Sequence, residues 1–500
     1  MSSELRQPLL PGFNPDPSIT RVGDVYYMVT STFEYLPGIP VYRSYDLASW
    51  EHVGNVITRS EQADLRHTPT PGGVWAPTIR HRDGVFYVIV TLMFGSHGCI
   101  LYTAADPAGP WSDGTPVPVV GGIDPDLVWD EDGEALVTYA VMGEGIFQVA
   151  VDLTTGLALE DPRPLWSGTG LHAPEGPHIH PHDGWWYLII AEGGTERGHA
   201  VSVARGTSAR GPFEGCPSNP VLSTRSTNHP IQNVGHADMV ERPDGSTIWT
   251  VLGVRPVGFT RSFSPLGRET FAAEVTWSDG WPSARLLPHD RAPLAMGEAF
   301  GFSDPDALRD PGWLSDRRLP TTVGSLDPAT GELLVRGEGS DLTDLGTPLI
   351  ARRLTAHDCT VAVSVDVSGG VGGLVIRHSE KHWIAIEASR RGESTHLTAR
   401  ASLAGLERVW AATIVGDNLS LIARFSTPPT GHAGKGAPSV GGDRIALSAE
   451  TSAGRVALVE LDGRYWSFET TESFTGRVAG VYAREGDVRV RRYEAIPTAP

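Results

Sequence analysis

HDGWWYLIIA, residues 182–191, sets an Asp-Gly turn directly before an aromatic and aliphatic run. Asp-Gly between apolar runs is a strong hairpin signal, because Gly tolerates positive φ. Four further stretches repeat the pattern: VGDVYYMVTS (22–31), RDGVFYVIVT (82–91), EDGEALVTYA (131–140) and PDGSTIWTVL (243–252). Their turn aspartates are Asp24, Asp83, Asp132, Asp183 and Asp244, a period of about 50–60 residues. A second segment follows four of the copies: RSYDLASW (43–50), TAADPAGPW (103–111), VAVDLTTG (149–156) and VARGTSARGPF (203–213). Each reads as a strand ending in a turn. About four short strands per period is the content of one propeller blade. A β-sandwich or solenoid with accidental periodicity is the alternative. The propeller is preferred because five blades close a ring and need no capping repeats.

Counting eight residues back from each turn aspartate gives Asp16, Trp75, Asp124, Glu175 and His236. They sit in GFNPDPS, GGVWAPT, GGIDPDL, LHAPEGP and NVGHADM. Each would open the innermost strand of its blade, and equivalent positions in a propeller face the mouth of the central channel. Proline near four of the five suits a strand entrance. The first copy reads Gly-Asp rather than Asp-Gly, so its register can differ by one.

Three carboxylates crowded into a partly dry funnel repel and raise one another's pKa, and such clusters mark functional sites. Solvated strand ends carrying acids by chance are the bland alternative. Glycosidic cleavage needs one protonated carboxyl to donate to the leaving oxygen and one carboxylate to activate water or attack carbon. Asp124 and Glu175 fall on adjacent blades, so the Asp124 charge is expected to hold the Glu175 proton in place, making Glu175 the acid. Asp16, two blades away, is expected to stay ionised and serve as base. A wide gap leaves room for water, which goes with inversion of configuration. Asp124 would tune and orient. Trp75 and Phe33 offer flat apolar faces for a sugar ring, against a core-packing role for either. His236 can hydrogen-bond a carboxylate or a hydrated cation, such as Ca2+ or another divalent ion in the channel. No cofactor is required by carboxylate chemistry.

The chain has 500 residues, more than one hydrophobic core accommodates, and 58 Gly with 39 Pro suit short strands and tight turns. A net charge of −19 argues against nucleic acid and anionic membranes as partners. It fits a neutral oligosaccharide by elimination. No apolar run is long enough to span a bilayer. Cys99, Cys216 and Cys359 are odd in number and far apart. They suggest neither a disulfide framework nor a metal site. With no charged-then-apolar leader at the N-terminus, this points to a cytoplasmic enzyme. After LGRETFAAEVTWSDGWP the blade pattern stops. CTVAVSVDVS, GGLVIRHSEKHWIAIEAS, RIALSAETS and RVALVELDG alternate with period two, which argues a sandwich. STPPTGHAGKGAPSVGGD (426–443) reads as a Pro/Gly-rich loop. The expected fold is therefore all-β. A five-bladed β-propeller spans 1–290, a connector 291–325 and a C-terminal β-sandwich 326–500.

PLLPGFNPDPSITRVGDVYYMVTSTFEYLPGIPVYRSYDLASW, GGVWAPT, GGIDPDLVWDEDG, APEGPHIH, VGHADMV and LGRETF together resemble glycoside hydrolase family 43, and the first of them closely resembles the start of its β-xylosidase members. The resemblance implies a five-bladed propeller and inversion, with Asp16 as general base, Asp124 as pKa modulator and Glu175 as general acid. It also implies Arg268 as a ligand of substrate or base, for which a fixed guanidinium fork is suited. LGTPLIARR, GGLVIRHSEKHW and SFTGRVAGVY resemble the family's C-terminal β-sandwich, which implies Phe474 as a wall of the leaving-sugar subsite. The implied substrates are β-1,4-xylo-oligosaccharides cut from the non-reducing end, or α-L-arabinofuranosyl groups, and a homo-oligomer is implied by the same analogy. Asp126, in DLV after the modulator, departs from the usual pattern and adds a carboxylate near Asp124. TLMFGSHGCI (91–100) has no counterpart in the family pattern and is expected to shape the pocket. A rival, the invertase type, needs an early Asn-Asp-Pro-Asn-Gly motif, and the one Arg-Asp-Pro here, at 309–311, lies beyond the last blade. A non-catalytic binding or scaffold propeller has no need of three ring acids.

Overall fold

Five antiparallel four-stranded sheets succeed one another over residues 18–57, 73–116, 123–166, 175–215 and 232–286, and these are blades 1 to 5. The computed structural model describes residues 7–95, 98–258, 262–288, 297–415, 419–428 and 442–498. The innermost strands are Ser18–Val22, Gly73–Arg82, Ile123–Trp129, Glu175–His182 and Gln232–Glu241. Each packs on the next, and the first packs on the last, so the ring closes. Residues 7–10 clamp it. Leu9 and Leu10 bond to the Thr270 carbonyl, and the Gln7 side chain exchanges two hydrogen bonds with the Ala272 backbone. Blade strands such as WWYLIIAE are apolar on both faces because both faces are covered by neighbouring blades. Ile89 and Leu101 of blade 2, for instance, meet Leu127 and Val137 of blade 3.

The ring positions follow a finer rule than the count from the turns. Each innermost strand regains its register with the second strand at Ser18, Thr78, Asp126, His178 or Asp238. Two residues earlier the backbone turns to positive φ, at Asp16 (55°), Ala76 (41°), Asp124 (55°), Gly176 (56°) and His236 (51°). In blades 2 to 5 this is a β-bulge, which re-aims a strand end. Trp75 and Glu175 therefore stand one residue before the position held by Asp16, Asp124 and His236. The offset comes from the turns. In blades 2 and 4 they hold two residues, 83–84 and 183–184, whereas in blades 3 and 5 they hold five, 130–134 and 242–246. In blade 1 the order is Gly23-Asp24.

The C-terminal domain is one continuous twelve-stranded sheet folded over an apolar core. Two long strands, Cys359–Arg377 and Val478–Pro497, run side by side through both layers. Register shifts at Asp366/Gly369 and Val371/Gly372 let the pair bend, which is how one hydrogen-bonded sheet makes a sandwich. The stretch expected to be a connector supplies structure of its own. Glu298–Gly301 pairs with the Val478–Pro497 strand, and Ser315–Asp316 pairs with Tyr35–Leu36 of the propeller. The sandwich thus takes in residues before 326. Of the 426–443 loop, residues 429–441 lie outside the described residues. Phe13 and Tyr35 of the propeller share a buried cluster with Leu349, Trp383 and Tyr482, which fixes the two domains together.

Candidate active site

Where the five strand ends converge, Asp16, Phe33, Trp75, Ile123, Asp124, Glu175, Thr195, His236, Arg268 and Phe474 line a cavity of about 50 Å³. All eight residues singled out from the sequence are here. Clefts of about 400 and 860 Å³ lie elsewhere, but each has a single carboxylate in its wall, Glu298 or Glu469, where glycosidic cleavage needs two.

Asp16 is held from two sides. Ser31 Oγ donates to its Oδ2 at 2.5 Å, and Arg268 Nη1 donates to its Oδ1 at 3.1 Å. His236 Nδ1 stands 3.8 Å from the same Oδ1. Ser31 Oγ is itself fixed by the Ala76 backbone N–H at 2.7 Å. Asp124 Oδ2 accepts the Gly176 N–H at 3.0 Å. Blades 2 and 4 thus bring an N–H to the ring where blades 1, 3 and 5 bring a side chain. Gly is needed at 176, since a Cβ there would lie 2.9 Å from the His236 ring. Arg268 is 4% exposed. Its Nη1 also donates to Thr195 Oγ1 at 2.9 Å, and its guanidinium carbon lies 5.5 Å from the Phe33 ring and 5.2 Å from the Phe474 ring.

Burial is the first cause of every carboxyl shift in the pocket. It raises Glu175 to about 7, with Arg268 opposing and the Asp16 charge adding to the rise. It raises Asp124 as well, reinforced by Glu175 and then Asp16, while the Gly176 N–H and Arg268 pull the other way. The Asp124 charge expected to hold the Glu175 proton is not among the causes of its shift; burial comes first, and the charge that adds to it is that of Asp16. Burial thus favours the protonated form of both carboxyls, while the Gly176 N–H favours the ionised form of Asp124. Glu175 Oε1 stands 3.7 Å from Nε2 of the buried His199. Burial pushes His236 down to about 4, which makes it a neutral ring.

The aromatic wall is continuous. Trp75 meets Phe474 edge-on at 5.3 Å and Phe33 at 6.3 Å, and Phe33 lies 5.9 Å from Phe474. The Trp75 indole donates to the Pro71 carbonyl at 2.8 Å, which sets its orientation. Phe474 comes from the second domain, and its loop is pinned beside Arg268. Arg477 N donates to the Pro265 carbonyl, Phe468 N to the Ser264 carbonyl, and Glu469 accepts both the N–H and the hydroxyl of Ser264. Phe94, in the 91–100 stretch, is 59% exposed and touches Trp75 at 6.5 Å.

Asp126 does not join the pocket. It is fully buried one layer deeper, where Arg80 bridges it to Asp238 at 2.5 and 2.8 Å. His178 and His180 complete that layer, with His180 Nε2 2.6 Å from Asp238. In that deeper layer Asp126 and Asp238 already have a fixed cation, the Arg80 guanidinium. Among the described residues no group of three or more His, Cys, Asp or Glu converges to hold a metal. Ser31, Ile123, Thr195 and His199 were not found from the sequence. They lie off the eight-residue count, and nothing in their local sequence distinguishes them from ordinary strand and loop residues.

Comparison with known proteins agrees with this geometry. The sequence profile of Glycosyl hydrolases family 43 matches residues 5–282, and that of a beta xylosidase C-terminal Concanavalin A-like domain matches residues 302–491. A non-reducing end α-L-arabinofuranosidase of Bacteroides ovatus is 38% identical over 412 residues, 78% of this chain and 76% of that protein. A xylan 1,3-β-xylosidase of a Vibrio species is 33% identical over 412 residues, 73% of this chain and 75% of that protein. The crystal structure of a xylan β-1,4-xylosidase from Bacillus halodurans superposes with a TM-score of 0.87 at 27% identity, covering 99% of this chain and 100% of that one. A two-domain chain of this length, with both halves matched in order and a carboxylate-lined pocket at the ring's centre, belongs to glycosyl hydrolases family 43 and is a glycoside hydrolase.

Proposed function

We propose that the chain is an exo-acting, inverting β-xylosidase, with Glu175 as general acid, Asp16 as general base and Asp124 as the group that tunes and orients the acid. The observation that carries this is the convergence of the three carboxyls and Arg268 on one small aromatic-walled cavity. In the reaction, water attacks the anomeric carbon and the bond to the leaving oxygen breaks. Asp16 takes a proton from the water, and Glu175 gives its proton to the leaving oxygen. Exchange with solvent then restores both groups. Arg268 keeps the Asp16 carboxylate fixed, Trp75 and Phe33 supply ring faces, and Phe474 closes one side so that a chain end, not a chain middle, enters. The relatives named as β-xylosidases support the xyloside reading.

The 38% identity to an α-L-arabinofuranosidase favours a second specificity for the same site. We also place the enzyme in the cytoplasm, a reading supported by three free, buried cysteines. Among the described residues no helix is long and apolar enough to cross a membrane. The test is Glu175→Ala assayed on xylobiose and on the nitrophenyl xyloside and arabinofuranoside. Xylobiose turnover is expected to fall by about 10²–10⁴-fold. Unchanged turnover would remove Glu175 from the mechanism, and faster wild-type turnover of the arabinofuranoside would reverse the choice of sugar.

A further inference from the structure

His199 lies behind the acid and has no part in the mechanism so far. Its side chain is fully buried, just before the blade 4 strand Ala200–Gly206. Nδ1 stands 3.0 Å from the Asn233 carbonyl. A carbonyl can only accept, so Nδ1 carries the hydrogen and Nε2 carries the lone pair. That Nε2 is buried and has no hydrogen-bond partner among the described residues, and Glu175 Oε1 stands 3.7 Å from it. A buried acceptor without a donor is costly, and the protonated carboxyl beside it is a donor.

The fold makes room for this arrangement. The imidazole lies flat against blade 5 at Gly235, where a Cβ would be 2.3 Å from Cε1, 2.4 Å from Nδ1 and 2.5 Å from Nε2. No side chain can stand at 235 without displacing the ring. Asn233, which fixes the tautomer, has a strained φ of 57°. A ring placed at such backbone cost, with one nitrogen tied and the other aimed at the acid, is not ordinary core filling.

We propose that His199 is a positioning residue for the general acid, its Nε2 accepting the Glu175 O–H and fixing the carboxyl in the orientation from which it protonates the leaving oxygen. The inference rests on the reading of Glu175 as the acid. The 3.7 Å separation closes by a small turn of the carboxyl, since catalytic hydrogen bonds are often long before substrate binds. Burial, ahead of the neighbouring charges, pushes the imidazole down to about 3, so His199 stays neutral and does not compete for the proton.

The experiment compares His199→Phe, His199→Gln and Glu175→Ala on two xylosides. Xylobiose has a sugar leaving group that needs the acid's proton. A nitrophenyl xyloside has a leaving group that departs without it. His199→Phe is expected to lower kcat/KM on xylobiose at least tenfold and on the nitrophenyl xyloside less than threefold. In His199→Gln the amide N–H can serve Asn233 and the amide oxygen can serve Glu175, so both rates should be retained to within about threefold. Loss of packing alone would lower both substrates alike, and that result for His199→Phe would overturn the proposal. If His199→Phe does not fold, by circular dichroism and melting, His199→Gln decides. Retention on both substrates supports the proposal, and an equal loss on both overturns it. Glu175→Ala separates the two levels. If it shows no difference between leaving groups, the acid assignment fails. If it does while His199→Phe does not, the role of His199 alone is lost.

Discussion

Glu175→Gln alters the charge of the pocket while keeping its shape, and it should stabilise the protein at alkaline pH. Burial raises Glu175 from the usual 4.5 to about 7 in the folded chain, with Arg268 opposing and Asp16 adding. Below about pH 4.5 the carboxyl is protonated both folded and unfolded, and the stability it contributes is fully present. As the pH rises the unfolded chain ionises first, so stability is lost until the folded pKa near 7 is passed. The interval from 4.5 to about 7, at about 1.4 kcal/mol per pH unit, is a loss of about 3 kcal/mol. The side chain is 21% exposed, so solvent screening trims that figure rather than removing it. A carboxamide does not ionise and carries no such penalty. Wild type and Glu175→Gln would be melted in parallel from pH 4.5 to 9. The expected result is a difference near zero at the acid end that grows in favour of the variant up to about pH 7.5 and then levels. A difference that stays constant across the range would refute the reasoning, because it would mean that Glu175 ionises alike in both states.

Two further outcomes follow from the same packing. Arg80→Met should lower stability by about 3–5 kcal/mol, read as a fall in the apparent melting temperature at neutral pH. It leaves the fully buried Asp126 and Asp238 facing each other without their shared cation. An unchanged melting temperature would show that the deep layer is not held by that pair. Phe474→Ala should raise KM for xylobiose about tenfold with a smaller change in kcat, since it removes a wall of the pocket and one of the rings against Arg268. Unchanged KM would place Phe474 in the core instead of the subsite.

The repeat in the sequence was enough to reach the fold and the site, because turn chemistry and hydrophobic alternation are local. Asp-Gly turns mark the outer end of each innermost strand, and counting inward lands within one residue of the channel. The remaining residue of uncertainty was physical. Turns of two and five residues give the same Asp-Gly signature, so the count cannot see that Glu175 precedes its bulge while Asp124 occupies one. Residues that act by tertiary approach left no such mark. Ser31, Thr195 and His199 reach the site's residues from the segment after the second strand of blade 1, which ends at Val29, and from the loop leading to blade 4's third strand, and their partners Asp16, Arg268 and Glu175 lie on other strands or loops. The early segment of the C-terminal sheet was hidden for a related reason. Glu298–Gly301 is too short to show alternation, and it is a strand only because the Val478–Pro497 strand offers an unpaired edge.

The bulge itself explains why five similar blades produce five different contributions. At each strand end the backbone is forced to positive φ, which is costly for any residue but Gly and aims one group at the axis. Blades 1, 3 and 5 place a polar side chain at that point and obtain Asp16, Asp124 and His236. Blades 2 and 4 place Ala76 and Gly176 there, and what reaches inward is an N–H. Those two N–H groups orient the two aspartates, one through Ser31 and one directly. The side chain just before the bulge is then free to carry bulk or a proton, as Trp75 and Glu175. A carboxylate moved to position 176 would collide with His236. The one-residue offset between blades therefore sets Glu175 just before its bulge, beside an Asp124 that occupies one and accepts the Gly176 N–H.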